Sequence, residues 1–106
     1  MRDQLRIYTL APGMFDEFYE YWKKNIVPAR EACGFSILAA WRRTEENQFL
    51  WIVRWNGEGS YADADAAYYA SPVRSAIPRN SGKFLTGQEV MMLEELPDFV
   101  AVPASA

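Results

Sequence analysis

Apolar and polar side chains alternate from the start of the chain. Leu5, Ile7 and Thr9 interleave with Arg6, Tyr8 and Leu10, a mixture of β-branched and aromatic residues that predicts a strand over 4–10. Pro12-Gly13 breaks that pattern, and the period then changes. Phe15, Phe18, Tyr19, Trp22, Ile26, Ala29 and Cys33 recur at spacings of three and four, which predicts a helix with an aromatic core stripe. Asp16, Glu17, Glu20, Lys23 and Lys24 fall off the stripe and should face water. Pro28 lacks the amide that would bond back to Lys24. The helix should therefore kink or restart there, widening a pocket, and Gly34 is placed to end it.

Two further strands are expected over 35–43 and 48–55, joined as a hairpin by the polar turn 44–47. Gly57 and Gly59 mark a loop. Ser60 with Asp63 then forms a capping box opening an alanine-rich helix that runs to about Tyr69. Ser71-Pro72 can start one more helical turn that Pro78 ends, 79–87 reads as a polar loop, and 89–96 as the last strand. The order predicts an α+β, ferredoxin-like βαββαβ domain with a four-stranded antiparallel sheet. Its first and third strands are central and both helices lie on one face. One domain is expected over 1–106, with a core of about 4–96 and a tail over 97–106.

The face away from the helices changes the picture. In the third strand Phe49, Trp51, Val53 and Trp55 occupy one side and Leu50, Ile52 and Arg54 the other. The second strand sets Phe35, Ile37 and Trp41 opposite Leu38 and Ala40. Both faces therefore look buried, whereas a solvated face would be polar at every second position. The expectation is a homodimer in which two such faces cover each other with roughly 800 Å² per partner, forming a dimeric α+β barrel.

Charge and rare residues narrow the functions. Eleven basic residues stand against 14 acidic ones, a net charge of -3, and the longest basic cluster is Arg42-Arg43, so nucleic acid is a poor partner. Cys33 is the single cysteine and there is no histidine, which removes the internal disulfide, the commonest metal ligand and the commonest general base. No metal and no cofactor is expected. The start, Met1-Arg2-Asp3-Gln4, lacks the apolar run of a signal peptide or membrane span, so a cytoplasmic protein with no membrane partner is expected.

Three stretches carry a resemblance: Leu5-Arg6-Ile7-Tyr8-Thr9-Leu10-Ala11-Pro12-Gly13, Ile26-Val27-Pro28 ahead of Gly34-Phe35, and Asn47-Gln48-Phe49-Leu50-Trp51 leading to Trp55. Over about 4–96 the chain resembles the NIPSNAP family of the dimeric α/β-barrel superfamily. The resemblance implies a ferredoxin-like protomer and a homodimer, but no general enzymatic activity. Related barrel families include cofactor-independent monooxygenases, isomerases, cyclases and haem-degrading enzymes. The chain departs from the family pattern at Gln4, where an acidic residue is common, and around Val73, where an aromatic is.

Two constellations carry candidate chemistry. Arg6 and Arg54 interrupt apolar segments on strands expected to be neighbours, and on one face they would form a cationic spot for a carboxylate or enolate. The plainer alternative pairs each with an acidic residue such as Glu89, Glu94 or Glu95. Tyr8, Tyr19, Trp22, Trp41 and Tyr68 would line a flat pocket for a small aromatic metabolite, against the plainer view that Tyr19 and Trp22 are core. Cys33 lies on the apolar stripe and reads as packing, and Asp63 and Asp65 diverge on their helix. The chain thus reads as a NIPSNAP-like homodimer of unassigned role with a small-molecule pocket. The alternatives are a cofactor-independent monooxygenase or cyclase, and a non-catalytic interaction or ligand-binding protein.

Overall fold

The computed structural model describes residues 2–80 and 82–99, so the expected tail lies outside the described residues from residue 100 onward. The first alternating segment forms β1 (Arg2–Leu10). It is followed by α1 (Phe15–Tyr21), a π-helical turn (Trp22–Ile26), α2 (Val27–Ala32), β2 (Phe35–Arg43), β3 (Gln48–Trp55), α3 (Tyr61–Tyr69), α4 (Pro72–Ser75) and β4 (Leu85–Glu94). The four strands make one sheet in the order β2-β3-β1-β4, and every pairing is antiparallel. β1 and β3 are central, as the pattern predicts.

The long helix is divided by more than a proline kink. The Val27 amide bonds to the Trp22 carbonyl, five residues back, and Pro28 supplies no amide for the next bond. The π turn inserts one extra residue just before the proline, and α2 restarts with Pro28 in its first turn. Ser60 caps α3 by accepting from the Asp63 amide at 3.1 Å, and Ser71 caps α4 by accepting from the Arg74 amide at 3.1 Å. β4 begins at Leu85, inside the segment expected to be a loop, because the free edge of β1 pairs with it as far as Leu10↔Leu85. Backbone bonding overrides the weak local signal of Thr86-Gly87-Gln88.

Aromatic rings fill the space between the helices and one face of the sheet. Trp51 and Val53 are fully buried and Phe49 nearly so. Phe49 lies 4.8 Å from the Trp22 ring and 5.3 Å from that of Phe18, both edge-on, and Trp22 meets Trp51 at 5.5 Å.

The other face corrects the sequence reading in two ways. The β2–β3 register slips between Ile37↔Val53 and Ala39↔Ile52, so Leu38 forms a bulge. Phe35 and Ile37 face the helices as expected, but beyond the bulge the alternation inverts. Trp41 stands opposite Leu50, on the helix-free side, with 52% of its surface exposed. Second, the expected dimeric α+β barrel is not what the structure holds. The sheet is open, with β2 and β4 as its two edges, in a single chain. Its helix-free face is not buried: Leu5, Ile7, Leu50 and Ile52 are half-buried, and Met91 and Leu93 are exposed. The apolar alternation makes both faces look buried, yet the helices cover only one. They also stop short of β4, where Val90 and Met92, beside Arg6 and Gln4, remain exposed.

Two substitutions separate these environments. Phe49→Ala removes a core ring and should lower unfolding free energy by about 3–5 kcal/mol. Trp41→Ala should change it by less than about 1 kcal/mol. Urea titrations of both variants check this, and a Trp41→Ala loss as large as that of Phe49→Ala would return Trp41 to the core.

Candidate functional site

Gln4, Arg6 and Tyr8 succeed one another on the helix side of β1, opposite Val53, Trp51 and Phe49 of β3. The central strand thus carries an arginine into the interior, where it is 4% exposed. Its Nε donates to the Tyr8 hydroxyl at 2.8 Å, Nη1 to Gln4 Oε1 at 2.6 Å and Nη2 to the Tyr69 hydroxyl at 3.1 Å. The guanidinium carbon lies 5.8 Å from the centre of the Trp51 ring. Gln4 Oε1 accepts a second bond from the Tyr61 hydroxyl at 3.1 Å. All three partners of Arg6 are neutral, and among the described residues no carboxylate lies within ion-pair distance of it. Burial pulls its pKa down, but Tyr8, Tyr69 and, more weakly, the Asp65 carboxylate outweigh this and the net shift is upward, so the group stays charged.

The Tyr8 and Tyr69 hydroxyls accept from Arg6 and have no acceptor of their own among the described residues. Each therefore points a polarised O–H elsewhere. Burial pushes the Tyr8 pKa up, with Arg6 opposing, so the phenol is a donor and a poor base.

A second guanidinium lies nearby. Arg30, from α2, is 1% exposed, pairs with Asp65 at 2.7 Å and stacks over the Tyr68 ring at 3.9 Å. Arg30 Nε, Trp22 Nε1, Trp51 Nε1 and the Tyr68 hydroxyl are buried with no partner among the described residues. Three of these four atoms can only donate. Next to the cluster lies an open cavity of about 590 Å³, lined by Tyr21, Tyr69, Arg74, Ser75, Ile77, Pro78, Arg79, Asn80 and Gly82. Tyr69 belongs to both: its hydroxyl accepts from Arg6, and it is one of the residues lining the cavity.

The residues expected to form a site separate into groups. Arg6 and Tyr8 are in direct contact, and Trp22 and Tyr68 are buried in the adjoining core. Arg54 does not join Arg6: it stands opposite Asp3 on the other face and bonds that carboxylate at 2.7 and 2.9 Å, with Glu95 at 3.1 Å. The plainer alternative holds for Arg54 and fails for Arg6. Tyr19 is exposed, stacked at 6.1 Å on Trp22 with Lys23 over its ring, and Trp41 lies across the sheet. The sequence reading missed Gln4, Arg30, Tyr61 and Tyr69. Tyr61 and Tyr68 are seven apart on an alanine-rich helix, hence on one face, and Arg30 follows Ile26 by four; those spacings were the available signals.

Cys33 lies 3.7 Å from the Ser71 hydroxyl, and among the described residues no cluster of acidic, histidine and cysteine side chains could hold a metal. Among them, too, no helix is long and apolar enough to cross a membrane.

Residues 3–98 match the NIPSNAP family. The chain belongs to the NIPSNAP family. No curated protein matches it. A NIPSNAP domain protein of Burkholderia xenovorans superposes with a TM-score of 0.79 at 16% identity, covering 95% of this chain and 100% of its own. A protein of Agrobacterium tumefaciens gives 0.78 at 12% identity, covering 92% and 96%. A Nitrosomonas europaea protein named "putative antibiotic biosynthesis monooxygenase" gives 0.66 at 9% identity, covering 91% and 99%. At these identities the likenesses concern the fold of this NIPSNAP chain.

The network has a readable pH dependence. Burial pushes Tyr61 from about 10 up to about 12, with Arg30 opposing. A pKa raised in the folded state contributes stability that is complete below the unfolded value near 10 and lost as pH rises through about 12. Melting temperature should fall across this window, and less steeply in Tyr61→Phe. Equal slopes in the two proteins would assign the alkaline loss to other groups.

Proposed function

We propose that this NIPSNAP protein binds a small aromatic metabolite through an anionic oxygen, which accepts from the Tyr8 and Tyr69 hydroxyls with Arg6 behind them. The observation that carries this reading is the buried guanidinium bonded to three neutral groups. An unpaired buried charge costs several kcal/mol, and an arriving anion offsets that cost. Gln4 stands where a carboxylate would neutralise Arg6, so the site keeps its charge for the ligand. Tyr69, which lines the cavity with Tyr21 and Ile77, suits a flat apolar body, and Trp22, Trp51 and Tyr68 pack behind it in the core. Tyr8 is a poor base, so the ligand arrives already ionised, which supports binding ahead of proton abstraction.

A second reading is cofactor-independent oxygenation of such a bound phenolate or enolate. Its support in this chain is the indole pair Trp22 and Trp51 beside Tyr8, which would shield an electron-rich anion from water. The name of the Nitrosomonas europaea protein prompts the same test. Oxygen consumption on adding an ionised polyphenol, lost in Arg6→Gln, would establish it, and binding without uptake would leave the first reading.

Gln4→Glu tests the primary reading directly. The new carboxylate lies on Arg6, so the melting temperature without ligand should rise while affinity for benzoate and 4-hydroxybenzoate falls at least about tenfold, as calorimetry would show. Arg6→Gln should weaken the same ligands. If neither substitution alters their affinity, the guanidinium is structural.

A further inference from the structure

We infer that the ligand is a dianion, with its second anionic group held by Arg74 and Arg79 at the mouth of the cavity. The inference rests on the oxyanion reading above and adds the chemistry of the ligand's other end. Three guanidinium groups converge on Tyr69: Arg6 bonds its hydroxyl, while Arg30 and Arg74 lie 5.5 and 5.6 Å from the centre of its ring. Asp65, on Arg30, is the single carboxylate paired with any of the three among the described residues. The local balance is therefore positive by about two charges in a chain whose net charge is -3.

The cavity continues that imbalance outward. Arg74 and Arg79 line it together with Ser75 and Asn80, none of its lining residues is acidic, and neither arginine has a carboxylate within ion-pair range among the described residues, although Arg79 also lines an adjoining cleft with Glu17 and Glu20. Elsewhere on this acidic chain the exposed cations Lys23, Arg42, Arg43 and Lys83 each have an acidic neighbour within ion-pair range, while exposed Lys24 has none among the described residues. A cavity of about 590 Å³ has room for a substituted aromatic ring. The Tyr69 ring offers that body a flat wall between the inner guanidinium and the outer pair. A monoanion satisfies Arg6 alone, whereas a dicarboxylate satisfies both ends. Paired planar forks suit carboxylate oxygens well.

Terephthalate and its monomethyl ester differ by one charge on the same frame, and calorimetry on the intact chain compares them. Wild type should bind terephthalate at least about tenfold more tightly than the ester. Arg74→Gln with Arg79→Gln should erase the preference, bringing terephthalate affinity down to that of the ester. Equal affinities in wild type, or a preference that survives the double substitution, would overturn the dianion. Arg6→Gln keeps the two readings apart. Loss of ester binding there marks the oxyanion site, and unchanged ester affinity overturns that site. Failure of wild type to bind either compound overturns both.

Discussion

A positive charge on a central strand is the constraint around which the site is arranged. β1 lies between β3 and β4, so an arginine on its helix side cannot reach bulk water without leaving the core. The protein solvates it with neutral oxygens instead: Gln4 below, Tyr8 above and Tyr69 from α3. Those contacts explain why α3 carries tyrosines among its alanines and why it lies where it does. Tyr61 completes the arrangement by occupying the remaining capacity of Gln4 Oε1. Neutral solvation holds the guanidinium in place without a carboxylate counter-charge, which distinguishes it from a structural ion pair.

Arg30, which shares the Trp51 ring with Arg6, shows the contrasting solution. Equally buried, it has a carboxylate at 2.7 Å and is flanked by the Tyr68 and Phe35 rings. Its pairing ties α2 to α3, while Arg6 ties the sheet to α3. The two arginines thus have different tasks despite similar burial, and Arg54, half wet between Asp3 and Glu95, has a third.

Much of this was legible in the sequence. The period of two in 4–10 and 48–55, the period near 3.6 after Phe15, and the caps Ser60 and Ser71 lead to the observed elements, because each is a local signal. The hairpin ends match to the residue. What escaped depends on tertiary context. A bulge at Leu38 is invisible in an apolar run, and it alone moves Trp41 to the other face. The start of β4 is set by the hydrogen-bonding edge of β1 and not by its own composition. The apolar second face implied a closed assembly, yet periodicity measures hydrophobicity and says nothing of what covers it. For the site, Arg6 and Tyr8 stood out as polar groups in an apolar strand. Gln4 and Tyr69 did not, because their part comes from meeting Arg6 across the fold.

The π turn sets the rotational phase of everything after it. One inserted residue turns the following helix by about 100° relative to an uninterrupted one. α1 presents Phe15 and Phe18 to the sheet, while α2 presents Ala29 and Arg30. That offset of about 100° lets a helix that begins as a greasy lid finish as a carrier of charge. Arg30 therefore owes its place among the rings to five residues of altered winding before it, so the backbone path of 22–26 bears on the electrostatics of the cluster as well as carrying the Trp22 ring into it.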